Sequence, residues 1–268
     1  MNFVLNADQE ALRDGIRALC AGRFAMERVR AGFDRDVWKE LAEAGVFTLP
    51  DLGFGLAEEA VVFEELGRGL VPGPLVWGAL THNADTVVTG PSGGMVTHVD
   101  TADRVLGDPT DLVAVTNPVD PLTPMHTTAS GTPPEHVGPG AVLTAAYMVG
   151  MAGACTDAAV AYAKEREQFD TPIGRFQSIK HLLADCLVRT EVARAAVHAA
   201  AVEPSDRAAS AAKVLAGDAA VTNAKTSFQV HGGMGFTWEV DVHLFLKRSW
   251  ILDRQFGTAD SHAHALSS

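Results

Sequence analysis

The chain is short of cysteine, tyrosine and positive charge. Its three cysteines, Cys20, Cys155 and Cys186, show no metal-ligand spacing, and an odd, scattered set suits buried thiols in a reducing compartment. Lys and Arg total 21 against 33 Asp and Glu, a net charge of −12, so no basic surplus exists to neutralise nucleic-acid phosphates. The sequence reading finds no uninterrupted apolar run approaching the roughly 18 residues of a membrane span. Met1-Asn2-Phe3-Val4-Leu5-Asn6 lacks the basic and apolar regions of a secretory leader. The expectation is a soluble cytoplasmic protein without a membrane or nucleic-acid partner. What the chain does have is 47% hydrophobic residues over 268 positions, enough for one large domain or two modest ones.

Three blocks differ in periodicity. Residues 1–83 read as helices. Asn6 with Gln9 forms a capping-box pattern ahead of Leu12, Ile16 and Leu19. A second helix begins near Asp34 with Val37, Trp38, Leu41 and Ala44 on one face, and a third covers 56–66 with Ala60, Val61, Phe63 and Leu66 inward. A short apolar helix follows over 75–80. Residues 84–139 lose helical periodicity and carry short β-branched runs at 86–88, 95–99 and 112–115. Pro118, Pro121, Pro124, Pro133 and Pro134 argue against central strands in the later part of this block. From residue 140 long helices return, over 141–165, 178–201, 207–230 and 239–256. The fold class expected is mainly α with a small β region: a helical N-terminal domain, a reduced β region and a C-terminal four-helix bundle.

Two segments carry chemistry. Arg166-Glu167-Gln168-Phe169-Asp170-Thr171-Pro172-Ile173-Gly174 with Phe176-Gln177 offers a cation, ring faces and an amide beside helix ends. An arginine there can fork onto a pyrophosphate, or it can simply pair with Glu165 or Glu167. Gln229-Val230-His231-Gly232-Gly233-Met234-Gly235-Phe236 exposes backbone donors and lets a ligand approach, or it merely terminates a helix. It does not follow a strand, so it is not a Rossmann fingerprint. Together the two suit a large anionic, partly aromatic ligand such as a dinucleotide.

These segments resemble the acyl-CoA dehydrogenase family. The likeness runs from Ala161 through Asp185 and from Gln229 through Glu239 with Asp241 and His243. It extends to the N-terminal blocks 38–45 and 64–70, so about three quarters of the chain is covered. The resemblance implies FAD as cofactor. Arg166 and Phe169 would stand at its diphosphate and adenine end, Gln177 near the flavin nucleotide, and Gln229, Gly232 and Gly233 along its ADP portion. It also implies that these contacts reach across a subunit interface, with an acyl-CoA substrate and an electron-transfer acceptor as further partners.

The pattern breaks at the base. Members of the family remove the α-proton of the substrate with a glutamate held at one of two positions. Here those positions are Phe256, in Gln255-Phe256-Gly257-Thr258, and Gly140, twenty-six residues before Arg166; Ala141 replaces a substrate-binding arginine beside it. Asp253 and Asp260 lie close in sequence but out of register. The β block, about 55 residues, is roughly half of what the resemblance implies, and it contains no Trp; Trp77 precedes it.

The expectation is therefore a short subunit of a heteromeric, α2β2 acyl-CoA dehydrogenase acting on bulky acyl groups such as steroid side chains. A longer partner would supply the glutamate. Two other readings stand beside it. One is a scaffold or regulatory subunit without flavin; the other is a homomeric, non-redox enzyme using His231 or His243. Met148, Met151 and Tyr147 fit a substrate pocket or the core equally well.

Overall fold

A computed structural model describes residues 4–267; Met1, Asn2 and Phe3, read above for the absence of a leader, lie outside it. The N-terminal block holds α1 (Ala7–Arg23), α2 (Met26–Arg30), α3 (Arg35–Glu43), α4 (Leu56–Arg68) and α5 (Leu75–Leu80). The Asn6–Gln9 capping box forms as read, each side chain serving the other's backbone N–H. Asp34 caps α3, whose Val37, Trp38 and Leu41 are buried; Ala44, expected on that face, is exposed. The short helix α2 has too few turns to show a period and was not anticipated.

The β block contains β1 (Val88–Thr89), β2 (Pro91–Ser92), β3 (Met95–Thr97), β4 (Arg104–Val105), β5 (Val113–Ala114) and β6 (Met125–Thr127). An antiparallel sheet runs in the order β2-β3-β6-β5, and β1 pairs in parallel with β4. The proline argument fails at β6, which is an inner strand. Pro124 stands just ahead of it, where no ladder donor is required, and its carbonyl accepts the His98 N–H at 2.7 Å. β3 stops short of Val99 because His98 turns left-handed (φ 58°).

The C-terminal block is built on α6 (Pro134–Glu165), followed by the hairpin β7 (Glu167–Gln168) and β8 (Thr171–Pro172). After it come α7 (Gln177–Val202), α8 (Asp206–His231), α9 (Val242–Arg254) and α10 (Ala259–Ser267). α6 begins seven residues before the expected 141. Pro134 takes the first helical position, where its missing N–H is harmless, and this hid the helix behind a Pro-rich stretch. α9 starts three residues later than read, and α10 is a fifth helix packed on α8, so the block exceeds four helices.

Residues 140–153 of α6 are buried on every face, between α4 on one side and α7 and α8 on the other. Small residues permit this. A Cβ on Gly150 would stand 1.9 Å from the Glu64 carbonyl oxygen, so backbone meets backbone where α4 crosses. Among the described residues α6 is the one helix long and apolar enough to cross a bilayer, although Thr144, Gly150 and Gly153 interrupt its apolar run in sequence. Of its most apolar window 78% is buried inside the fold, so its apolar length serves the core.

Candidate functional site

The expected cofactor residues gather at one end of the bundle. Arg166 is the first residue beyond α6, held by its N–H to the Tyr162 carbonyl at 2.8 Å. Its guanidinium has neither a hydrogen bond nor an ion pair within the described chain, so the pairing with Glu165 or Glu167 does not occur. Phe169 and Asp170 form the two-residue turn of the β7–β8 hairpin, both left-handed (φ 53° and 61°). A primed turn matches strand twist, but the left-handed region is costly for phenylalanine, and such strain collects at functional sites. The Phe169 ring is 88% exposed and meets only the Phe176 ring, edge to face at 6.2 Å.

Gln177 opens α7 with its side chain in solvent, where the first-turn N–H groups point outward. Gln229 is exposed in the last turn of α8. Gly232 follows at φ 59°, ψ −137°, a conformation closed to side chains, and a Cβ on Gly232 or Gly233 would touch nothing within 4 Å. The Tyr162 ring stacks on His231 at 4.4 Å, and Ala163, Val230 and Ile173 form a small apolar cluster beneath. These contacts bring the end of α6, the end of α8 and the approach to α7 into one place. An unpaired arginine, a helix N-terminus, an open glycine turn and a free aromatic face match the donor needs of a pyrophosphate and its attached ring. FAD has those features.

The two histidines weighed as acid or base are packing residues at this same end. His231 Nδ1 donates to the Ser227 carbonyl at 2.7 Å, and His243 lies edge-on against Trp238 at 4.5 Å. Burial, then the Lys247 ammonium, lower the His243 pKa and favour its neutral ring.

The two base positions meet at the other end of α6. Gly140 and Arg166 are separated along the helix by about 39 Å. A Cβ on Gly140 would lie 2.2 Å from Phe256 Cδ1, so the two positions are in direct contact. Phe256 is buried and left-handed (φ 54°). Its N–H donates to Ser92 Oγ at 2.6 Å, and its carbonyl accepts from His262 Nε2 at 2.9 Å. The Trp77 ring lies 5.1 Å from it and carries His136 on its edge.

Lys213 on α8 spends its three donors on the carbonyls of Leu252, Asp253 and Gly257, which ends α9 and fixes the turn; burial lowers this lysine to about 8. Asp253 faces Gly217 of α8 and Asp260 is exposed in α10, so neither takes the base position.

Beside Trp77 a mainly apolar cavity of about 30 Å³ remains, with His98, Tyr147, Arg248 and Gln255 among its lining residues. It has room for one or two waters, not an acyl chain. Arg248 is ion-paired there to the buried Asp120 and donates to Tyr147 Oη at 3.3 Å. Burial alone would raise the Asp120 carboxyl, but Arg248 and Thr123 outweigh it and hold the pKa low. Met148 and Met151 are core residues.

Trp77, Ser92, His262 and Lys213 were not singled out as residues of this arrangement. Ser92 and Phe256 are 164 positions apart, and no local pattern announces such a contact.

The family profile described as acyl-CoA dehydrogenase, C-terminal domain, matches residues 135–266, and that of the N-terminal domain matches residues 6–88. The acyl-CoA dehydrogenase IpdE2 of Mycolicibacterium smegmatis is 31% identical, across 91% of this chain and 93% of its own. Two solved structures share the fold. The steroid ACAD Tcur3481-Tcur3483 superimposes with a TM-score of 0.82 at 21% identity, covering 97% of this chain and 96% of that one. The ChsE4-ChsE5 complex from Mycobacterium tuberculosis gives 0.82 at 18%, covering 100% and 98%.

Proposed function

Because the chain belongs to the acyl-CoA dehydrogenase family, we propose that it is the short subunit of a heteromeric, FAD-dependent enzyme that dehydrogenates an acyl-CoA thioester between Cα and Cβ. The observation that carries this is the separation along α6. The cofactor-facing groups lie at one end, and the base positions lie about 39 Å away along the helix. On this reading, a flavin touched by Arg166 of this chain serves an acyl site on another chain.

FAD, when bound, accepts the hydride that leaves Cβ. In this chain Arg166 neutralises the diphosphate, Phe169 packs on the adenine end, Gln177 meets the nucleotide, and Gln229, Gly232 and Gly233 follow the ADP portion. Proton removal from Cα falls to a glutamate of a longer partner, since Gly140 and Phe256 offer no carboxylate and fill each other's space. The two-chain names of the ChsE4-ChsE5 and Tcur3481-Tcur3483 neighbours support such an assembly, and the steroid named for the latter supports a bulky acyl group. Phe169, 88% exposed, and Phe236, 81% exposed, crowd the cofactor end as a partner-covered surface would.

The test is the flavin content of the complex between this chain and a longer acyl-CoA dehydrogenase subunit co-expressed with it. Arg166→Ala in this chain is expected to lower bound FAD. Unchanged flavin content would favour the scaffold reading.

A further inference from the structure

Resting on that reading of the Gly232–Gly233 turn, we propose that Arg30 of α2 is a positioning residue for the cofactor-facing segment 232–241. Its Nε donates to Asp241 Oδ1 at 2.7 Å and its Nη2 donates to the Trp238 carbonyl at 3.0 Å. Both partners lie more than 200 positions away, so the N-terminal block reaches over to grip the end of the glycine-rich segment. The middle of the segment is fixed separately, where the Phe236 ring stands against Phe228 of α8 at 5.3 Å. Gly232 and Gly233 precede both anchors and have no side chains of their own to hold them, a Cβ on either meeting nothing within 4 Å.

The grip also sets Trp238. Its ring is 62% exposed, backed by the Lys247 ammonium 5.0 Å from its centroid and by the edge of His243. Arg30 fixes the backbone of that residue while Asp241 stands at the N-cap of α9. One planar fork serves a carboxylate and a carbonyl together, which an ammonium cannot reproduce.

Arg30 and Asp241 are both partly exposed, and ion pairs of that kind add little to global stability. The effect of losing Arg30 therefore falls on the order of the segment and leaves the fold in place. The chain then meets the flavin with a turn that must be ordered on binding, and the affinity drops.

The experiment uses two readouts on Arg30→Gln and Arg30→Lys. In the full chain, hydrogen exchange at 235–241 is expected to quicken about tenfold in Arg30→Gln, with a melting shift of less than about 2 °C. In the flavin-containing complex with the longer subunit, the FAD dissociation constant is expected to rise roughly tenfold, with Arg30→Lys in between. Unchanged exchange overturns the grip, and faster exchange with unchanged FAD affinity overturns the positioning role. If Arg166→Ala also leaves FAD untouched, the functional reading itself fails, while the exchange result still decides whether Arg30 orders the segment.

Discussion

Gly140 and Phe256 occupy one another's space: a Cβ on the glycine would come within 2.2 Å of the ring. Each aligns with a position where the resemblance puts a base, and here the Phe256 ring excludes any side chain at residue 140. The ring is wedged further by Trp77, and its backbone is tied to Ser92 and His262. Packing thus leaves no room for a larger side chain at residue 140, and neither position carries a carboxylate.

That contact predicts a coupled pair of substitutions. Gly140→Ala alone should cost about 1–3 kcal/mol through overpacking, despite alanine's better helix propensity. Phe256→Gly alone should cost about 3–5 kcal/mol for the cavity. Together they should cost less than the sum by at least about 1 kcal/mol, read by urea unfolding. Strict additivity would mean that the two residues do not press on each other.

The Asp120–Arg248 pair ties the β block to α9 inside the core. Removing one partner strands a buried charge, so Asp120→Ala should cost about 3–5 kcal/mol in thermal or chemical unfolding. An Asp120→Leu, Arg248→Met double substitution should recover most of that loss. A loss below about 1 kcal/mol for Asp120→Ala would show that the pair is solvated.

His98 makes stability depend on acidity. Burial first, then the nearby Arg248, lower its pKa to about 3, while an unfolded histidine titrates near 6.5. The unfolded state therefore binds the proton first as the pH falls. Stability is intact above about pH 6.5 and should fall by up to roughly 1.4 kcal/mol per pH unit until the folded group titrates. His98→Asn, which tolerates the left-handed backbone, should flatten unfolding free energy between pH 4 and 6 by about that slope. An unchanged slope would assign the acid sensitivity elsewhere.

Much of this molecule is legible in sequence because its signals are local. The capping box at Asn6 and the apolar periods of α3 and α4 each act within a few residues. β6 is hidden by the prolines around it, although only a proline's place in the ladder matters. The start of α6 is hidden in sequence because its first turns are rich in proline and glycine. Counting along the chain picked out Gly140 and Phe256 separately, but their contact depends on how α6 and the turn after α9 pack. The grip of Arg30 on Asp241 is equally invisible from either end, since charged residues on short helices are common.

The central claim is that this chain lends cofactor contacts to an acyl site it does not contain. Its most direct test is the flavin absorbance and dehydrogenation activity of the purified chain, alone and with the longer dehydrogenase subunit. The account predicts a colourless, inactive chain alone, and an active yellow complex carrying one FAD for each pair of unlike chains. A yellow chain that dehydrogenates an acyl-CoA without any partner would contradict it.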